Sequence, residues 1–132
     1  METLGSLVDK LTIIKLKMYH TEDKGKWGEL CWQSLLLKDE IDEFIANPPK
    51  NLYFPSHKVC DIKYAVNGTM GVLISDLAHT NCAIWHLQED IYNFHNVAPS
   101  EKDFVVDGIA NLNIKRTNLI EEIDKEFSCI TK

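Results

Sequence analysis

Six polar side chains fall on helical faces that are otherwise apolar: Lys15, Glu22, Ser34, Asn81, Gln88 and Arg116. At about 100° of turn per residue, Lys15 lies about 40° from Leu11, Asn81 about 40° from Leu77 and Arg116 about 40° from Leu112. On the same wheel Ser34 lies about 20° from Ile41. Counted from the helix starts, Lys15 is level with Ser34, and Asn81 with Arg116, so four helices can contribute to one polar layer in mid-bundle. Arg116 is the only arginine of the chain, and its guanidinium is a fork of donors matched to a carboxylate or phosphate. Cations near a core need anionic partners, because an unpaired buried charge is strongly destabilising. Glu22 shares a face with Lys15 and is the internal partner the spacing offers; its counterpart in the second half is the neutral Gln88. The layer reads in two ways. Either it is a satisfied packing layer whose cations reach to the edge, or it is a pocket for a small anion.

Other constellations carry other chemistry. His79, Cys82 and His86 recur at i, i+3 and i+7, with Glu89 one turn on, and these are ligands of zinc type. One helix cannot close a tetrahedral site, so a further ligand such as His20 is needed. The corresponding residues of the first half, Ile13 and Leu16, are apolar, which favours a packing surface over a metal site. Asp39, Glu40 and Glu43, together with Glu121 and Asp124, resemble the acidic helices of all-α nucleotide pyrophosphohydrolases of the MazG type. There, clustered carboxylates hold Mg²⁺ against a triphosphate. That resemblance implies a metal-dependent pyrophosphohydrolase as the alternative function, although the next helix, where such enzymes carry their second acidic motif, offers only Asp76. No GxGxxG, P-loop, GxSxG or HExxH is present, and no spacing supports a nucleophilic triad. Nothing in the spacing names a cofactor.

These residues are positioned by four stretches of helical periodicity. The first runs from about Thr3 to Glu22 on Leu4, Leu7, Val8, Leu11, Ile14 and Met18. The second runs from about Trp27 to Ala46 on Trp27, Leu30, Leu37, Ile41 and Phe44, and Asn47-Pro48-Pro49 ends it. The third follows the Asn67-Gly68 turn with Leu73, Leu77, Ile84 and Ile91. The fourth starts near Ser100 with Val105, Ile109, Leu112, Leu119, Ile123 and Phe127. Thr3 and Thr69 are the expected caps of the first and third.

The pattern repeats. Thr3–Lys24 returns 66 positions later as Thr69–Asp90, with Thr3/Thr69, Gly5/Gly71, Leu7/Leu73, Leu11/Leu77 and His20/His86 identical. A second echo sets LCWQSLLLKDEIDEFI, from Leu30, against LNIKRTNLIEEIDKEF, from Leu112. The expected architecture is an all-α four-helix bundle of two pseudo-repeated hairpins, residues 3–46 and 68–129, in a single domain. A turn at Lys24-Gly25-Lys26 joins the first pair, and FHNVAPSEK the second. The long linker 47–67 is expected to cross the outside of the bundle, pinned by Leu52, Tyr53 and Phe54, with a helical turn near Val59 to Tyr64.

Composition narrows the partners. A chain of 132 residues with net charge −6 and no basic run lacks the clustered cations that nucleic acid or an anionic membrane surface demands. Cys31, Cys60, Cys82 and Cys129 form no close pair, and no leader or spanning segment is evident, so reduced thiols in a cytoplasmic protein are expected. Trp32, Leu35 and Leu36, like Ile13 and Leu16, lie off the main stripes. Helices apolar on a second face predict a homodimer.

NCAIWHLQED, from Asn81, followed by IANLNIKRTNLIEEID, from Ile109, is similar to a bacterial helical domain-of-unknown-function family. Its pattern is N-x-x-[IL]-W-H-x-E-D, then I-D-x-L-N-x-x-R-N-D-L-[IV]-E-x-[IL]-D. Asn81, Trp85, His86, Glu89, Asn113, Arg116, Glu121 and Asp124 match it, while Gln88, Ala110 and Asn118 replace acids of the pattern. LGSLVDKLTIIKLK, from Leu4, resembles the opening of related small helical proteins. The resemblance implies an all-helical fold and marks Asn81 and Arg116, and it brings no activity. The expected function is therefore a non-enzymatic binding or interaction module, its central layer being either satisfied packing or a small-anion site.

Overall fold

A computed structural model describes residues 2–49 and 68–131, so the expectations for the linker fall almost wholly outside the described residues. The fold is an all-α four-helix bundle: α1 (Leu4–His20), α2 (Lys24–Ala46), α3 (Met70–Tyr92) and α4 (Pro99–Thr131), with a 3₁₀ turn at Phe94–Asn96 before α4. No described helix is long and apolar enough to cross a membrane.

Local chemistry sets the helix ends. The Thr3 hydroxyl accepts the Ser6 amide at 3.1 Å, and the Ser6 hydroxyl accepts the Thr3 amide at 2.9 Å, a reciprocal capping box. The Asp23 carboxylate accepts the amides of Gly25 at 2.9 Å and Lys26 at 3.2 Å. Those two bonds start α2 at Lys24, so the expected Lys24-Gly25-Lys26 turn is instead the helix's first turn, and the true connection is Thr21 to Asp23. Gly68 has φ of 151°, a conformation that side-chain-bearing residues rarely adopt. Pro99 opens α4 one residue before the expected start, where its missing N–H removes nothing from the helix.

Packing is unequal. α1 touches all three other helices, and α3 lies along α4. Asp9 meets Arg116 while Gly5 meets Asp124, so α4 runs antiparallel to α1. Asn81 meets Asp9 and Trp85 meets His20, so α3 runs parallel to it. Leu4, Val8, Leu73, Leu77, Leu119, Ile123 and Phe127 form the core of this three-helix cluster. The second helix rests chiefly on α1 and reaches α4 near its end, where the Phe44 and Phe127 rings stand 5.6 Å apart. Ser34 is its one buried residue, while Trp32 is 63% exposed, Leu35 46% and Leu36 45%.

Candidate functional site

The polar centre of the bundle is built around a carboxylate that the spacing did not single out. Asp9 is buried on α1. Its Oδ1 accepts Arg116 Nε at 2.9 Å and Asn81 Nδ2 at 2.9 Å, and its Oδ2 accepts Arg116 Nη2 at 2.5 Å. Asn81 Nδ2 also donates to Thr12 Oγ1 at 2.8 Å, and the Thr12 hydroxyl donates to the Asp9 carbonyl at 2.8 Å. Three helices thus converge on one carboxylate. The guanidinium fork grips both its oxygens, which is the strong geometry for such a pair. This bond outweighs the opposing effect of burial, so Arg116 is held protonated even more firmly than a free guanidinium.

Two of the six expected layer residues, Asn81 and Arg116, are brought together. The other four are not. Lys15, Glu22 and Gln88 are exposed, so Lys15 and Glu22 are no buried ion pair. Ser34 is buried, but its hydroxyl donates at 2.9 Å to the Cys31 carbonyl within its own helix. The anion that Arg116 calls for is supplied by the chain itself, an arrangement that fits the first of the two readings of the layer, a satisfied packing layer.

Asp9 lies on the far side of α1 from the stripe of Leu4, Leu7, Val8, Leu11, Ile14 and Met18, so the spacing of that stripe does not mark it. The sequence of α1 does carry a signal. Leu4, Leu7, Val8, Leu11, Ile13, Ile14 and Leu16 leave α1 no cleanly polar face, and a helix apolar nearly all round is a central one. On such a helix even an off-stripe acid is enclosed.

A second buried carboxylate joins the same two helices nearer their ends. Asp124 Oδ1 accepts the Gly5 amide at 2.7 Å. That amide is one of the donors a helix start leaves unpaired, and α1 has no acid in its own first turn. Asp124 therefore places negative charge at the positive end of α1 from across the seam. Burial pushes its carboxyl above the usual carboxylate range, against the opposing bonds from the Gly5 amide and the Thr3 hydroxyl. Its proton is held better in the fold than in the unfolded chain. Its contribution to stability is therefore fullest below the unfolded value and falls as pH rises through the folded one. A Cβ on Gly5 would fall on the Ile120 carbonyl oxygen, so only glycine allows this approach.

The histidine and cysteine set is spread along α3. His79 is exposed, Cys82 half-buried, and His86 Nδ1 stands 3.7 Å from Glu89 Oε1. The acids of α2, Asp39, Glu40 and Glu43, are exposed while Asp124 is buried at the α1 seam. Among the described residues no three His, Cys, Asp or Glu side chains stand close enough to hold a metal ion. His20 does find the α3 set, through its rings alone: it stacks on Trp85 with centroids 4.8 Å apart and planes 9° apart, and its edge contact to His86 is 5.9 Å. No protein-family model, curated protein or solved structure matches this chain.

Proposed function

We propose that this chain is a non-enzymatic interaction module that pairs with a second copy of itself through the outer face of α2. The observation that carries this reading is the exposure of Trp32, Leu35 and Leu36 on a helix of 23 residues that buries only Ser34. Contiguous apolar surface of this kind is characteristic of protein contacts, and tryptophan is enriched where such contacts hold most firmly.

A second copy fits for two reasons. The three residues sit near the midpoint of α2, so a two-fold axis there brings the same patch of each copy onto the other. The helix also carries its charges in the reverse of the favourable order, with Lys24 opening it and Asp42 and Glu43 close to its end, and no basic residue in its last turn. Each of these works against the helix dipole by a few tenths of a kcal/mol. Antiparallel pairing sets the Lys24 end of one copy beside the acidic end of the other. The polar centre, whose donors and acceptors bond one another, serves as a packing element of this module.

Sedimentation equilibrium tests the reading. The wild-type chain is expected to show a dimeric mass, and Trp32→Glu with Leu36→Glu a monomeric one with unchanged helical circular dichroism. A monomeric wild-type chain at working concentration overturns it.

A further inference from the structure

The geometry points to a second, separate site: a cleft between the end of α1, the start of α2 and Trp85 of α3, shaped for a small anion carried on a flat apolar body. The cleft has a volume of about 470 Å³, and Lys17, His20, Lys26, Leu30, Gln33 and Trp85 line it. Drug-sized and metabolite-sized ligands occupy pockets of about this size, mostly apolar with a few fixed polar groups.

Each part of the lining has a role. Lys17 and Lys26 line the cleft from different helices, and neither takes part in an ion pair among the described residues. Glu29 is the one acid of the lining, so the cations outnumber it. Lys26 also stands in the first turns of α2, where a cation opposes the positive helix end and a bound anion would relieve that opposition. Lys24, two residues earlier, projects about 160° away round the helix and is not part of the cleft.

The apolar part is a cluster of rings. His20 is stacked face to face with Trp85 and meets the edges of Tyr19 at 5.3 Å and His86 at 5.9 Å. Stacked and edge-to-face arrangements are the favoured ones for such rings. Leu30 completes the apolar side, and Gln33 supplies a polar group that can donate or accept. This combination suits a carboxylate or phosphate attached to a planar ring, with the ring against Trp85 and Leu30 and the anion between the two lysines. The Asp9–Arg116 network plays no part in it, because Arg116 is already bound to Asp9.

The test uses 2-naphthoate as probe, 2-naphthamide as its neutral counterpart and inorganic phosphate as the bare anion. Resonances of the intact protein report where each one binds. The naphthoate is expected to shift the Trp85 indole N–H and the His20 ring signals saturably, with the Trp32 indole unmoved. Affinity is expected to fall about tenfold for the amide, and about tenfold again for naphthoate on the Lys17→Ala, Lys26→Ala double variant, as two exposed charge contacts imply. Phosphate alone is expected to bind more weakly than naphthoate. Equal binding of acid and amide, an unaffected double variant, shifts centred on Trp32, or no shift at millimolar probe would each overturn the site. Phosphate binding as tight as naphthoate would overturn the role given to the flat body.

Discussion

Thr3 and Thr69 stand at the same point of two echoed segments, one ahead of α1 and the other ahead of α3. The Thr3 hydroxyl caps its helix, whereas Thr69 makes no side-chain cap bond. Two residues on, Gly5 lies against the α4 backbone so closely that a Cβ has no room, while a Cβ on Gly71 would meet nothing within 4 Å. The positions that differ are divided just as sharply. Asp9 anchors the polar network and its counterpart Ser75 is exposed; Asn81 is buried in that network and its counterpart Lys15 is exposed. Residues shared by the two segments therefore do not share a task. Position within the bundle decides the task, because α1 is enclosed by three neighbours and the start of α3 is open on one side.

Variants can break or sharpen that contrast. The largest loss is expected from Arg116→Ala, about 3 kcal/mol, since it strands a buried carboxylate with only an amide partner. Lys15→Ala, at the exposed counterpart of Asn81, is expected to change stability by less than about 0.5 kcal/mol. Urea denaturation measures both, and equal losses would dissolve the distinction between network and surface. Next comes Gly5→Ala, expected to cost about 1–3 kcal/mol through overpacking against α4. Gly71→Ala is expected to raise stability by up to about 1 kcal/mol through helix propensity alone. Thermal melting should therefore move in opposite directions for the two glycines, and parallel shifts would show that α1 is not closely held. The smallest contrast is at the caps. Thr3→Ala is expected to cost about 1 kcal/mol and to speed amide exchange in the first turn of α1, while Thr69→Ala should leave α3 unaltered.

Much of the fold is legible in the sequence, because three- and four-residue spacing survives whatever surrounds a helix. Leu73, Leu77 and Ile84 on α3, and Val105, Leu119, Ile123 and Phe127 on α4, are buried as their stripes require. Asn81 and Arg116 are legible too, as polar residues on an apolar face. What periodicity on single helices does not carry is how many neighbours a helix will have. α1 has three and so encloses Asp9 on its supposed outer side. α2 has chiefly one, so Trp27, on its inner stripe, remains 46% exposed. Lys15 sits on the stripe read through Leu11, yet Leu11 itself is only half-buried and Lys15 points to water. Burial is a property of the assembled helices, and a wheel drawn for each one separately cannot contain it.

The bonds from Asp9 to Arg116 and from Gly5 to Asp124 join residues 107 and 119 positions apart. During synthesis the first helix therefore emerges long before its carboxylate can meet a cation or its opening turn can meet Asp124. Until α4 has left the ribosome, Asp9 has the Asn81 amide as a partner but no cation. The α1–α2 hairpin then waits on α4 for the cation that pairs Asp9 and for the carboxylate that meets its opening turn. Contacts this distant in sequence form slowly compared with helices themselves. A chain stalled before α4 is consequently expected to be cut within α1 by a protease sooner than one that carries α4.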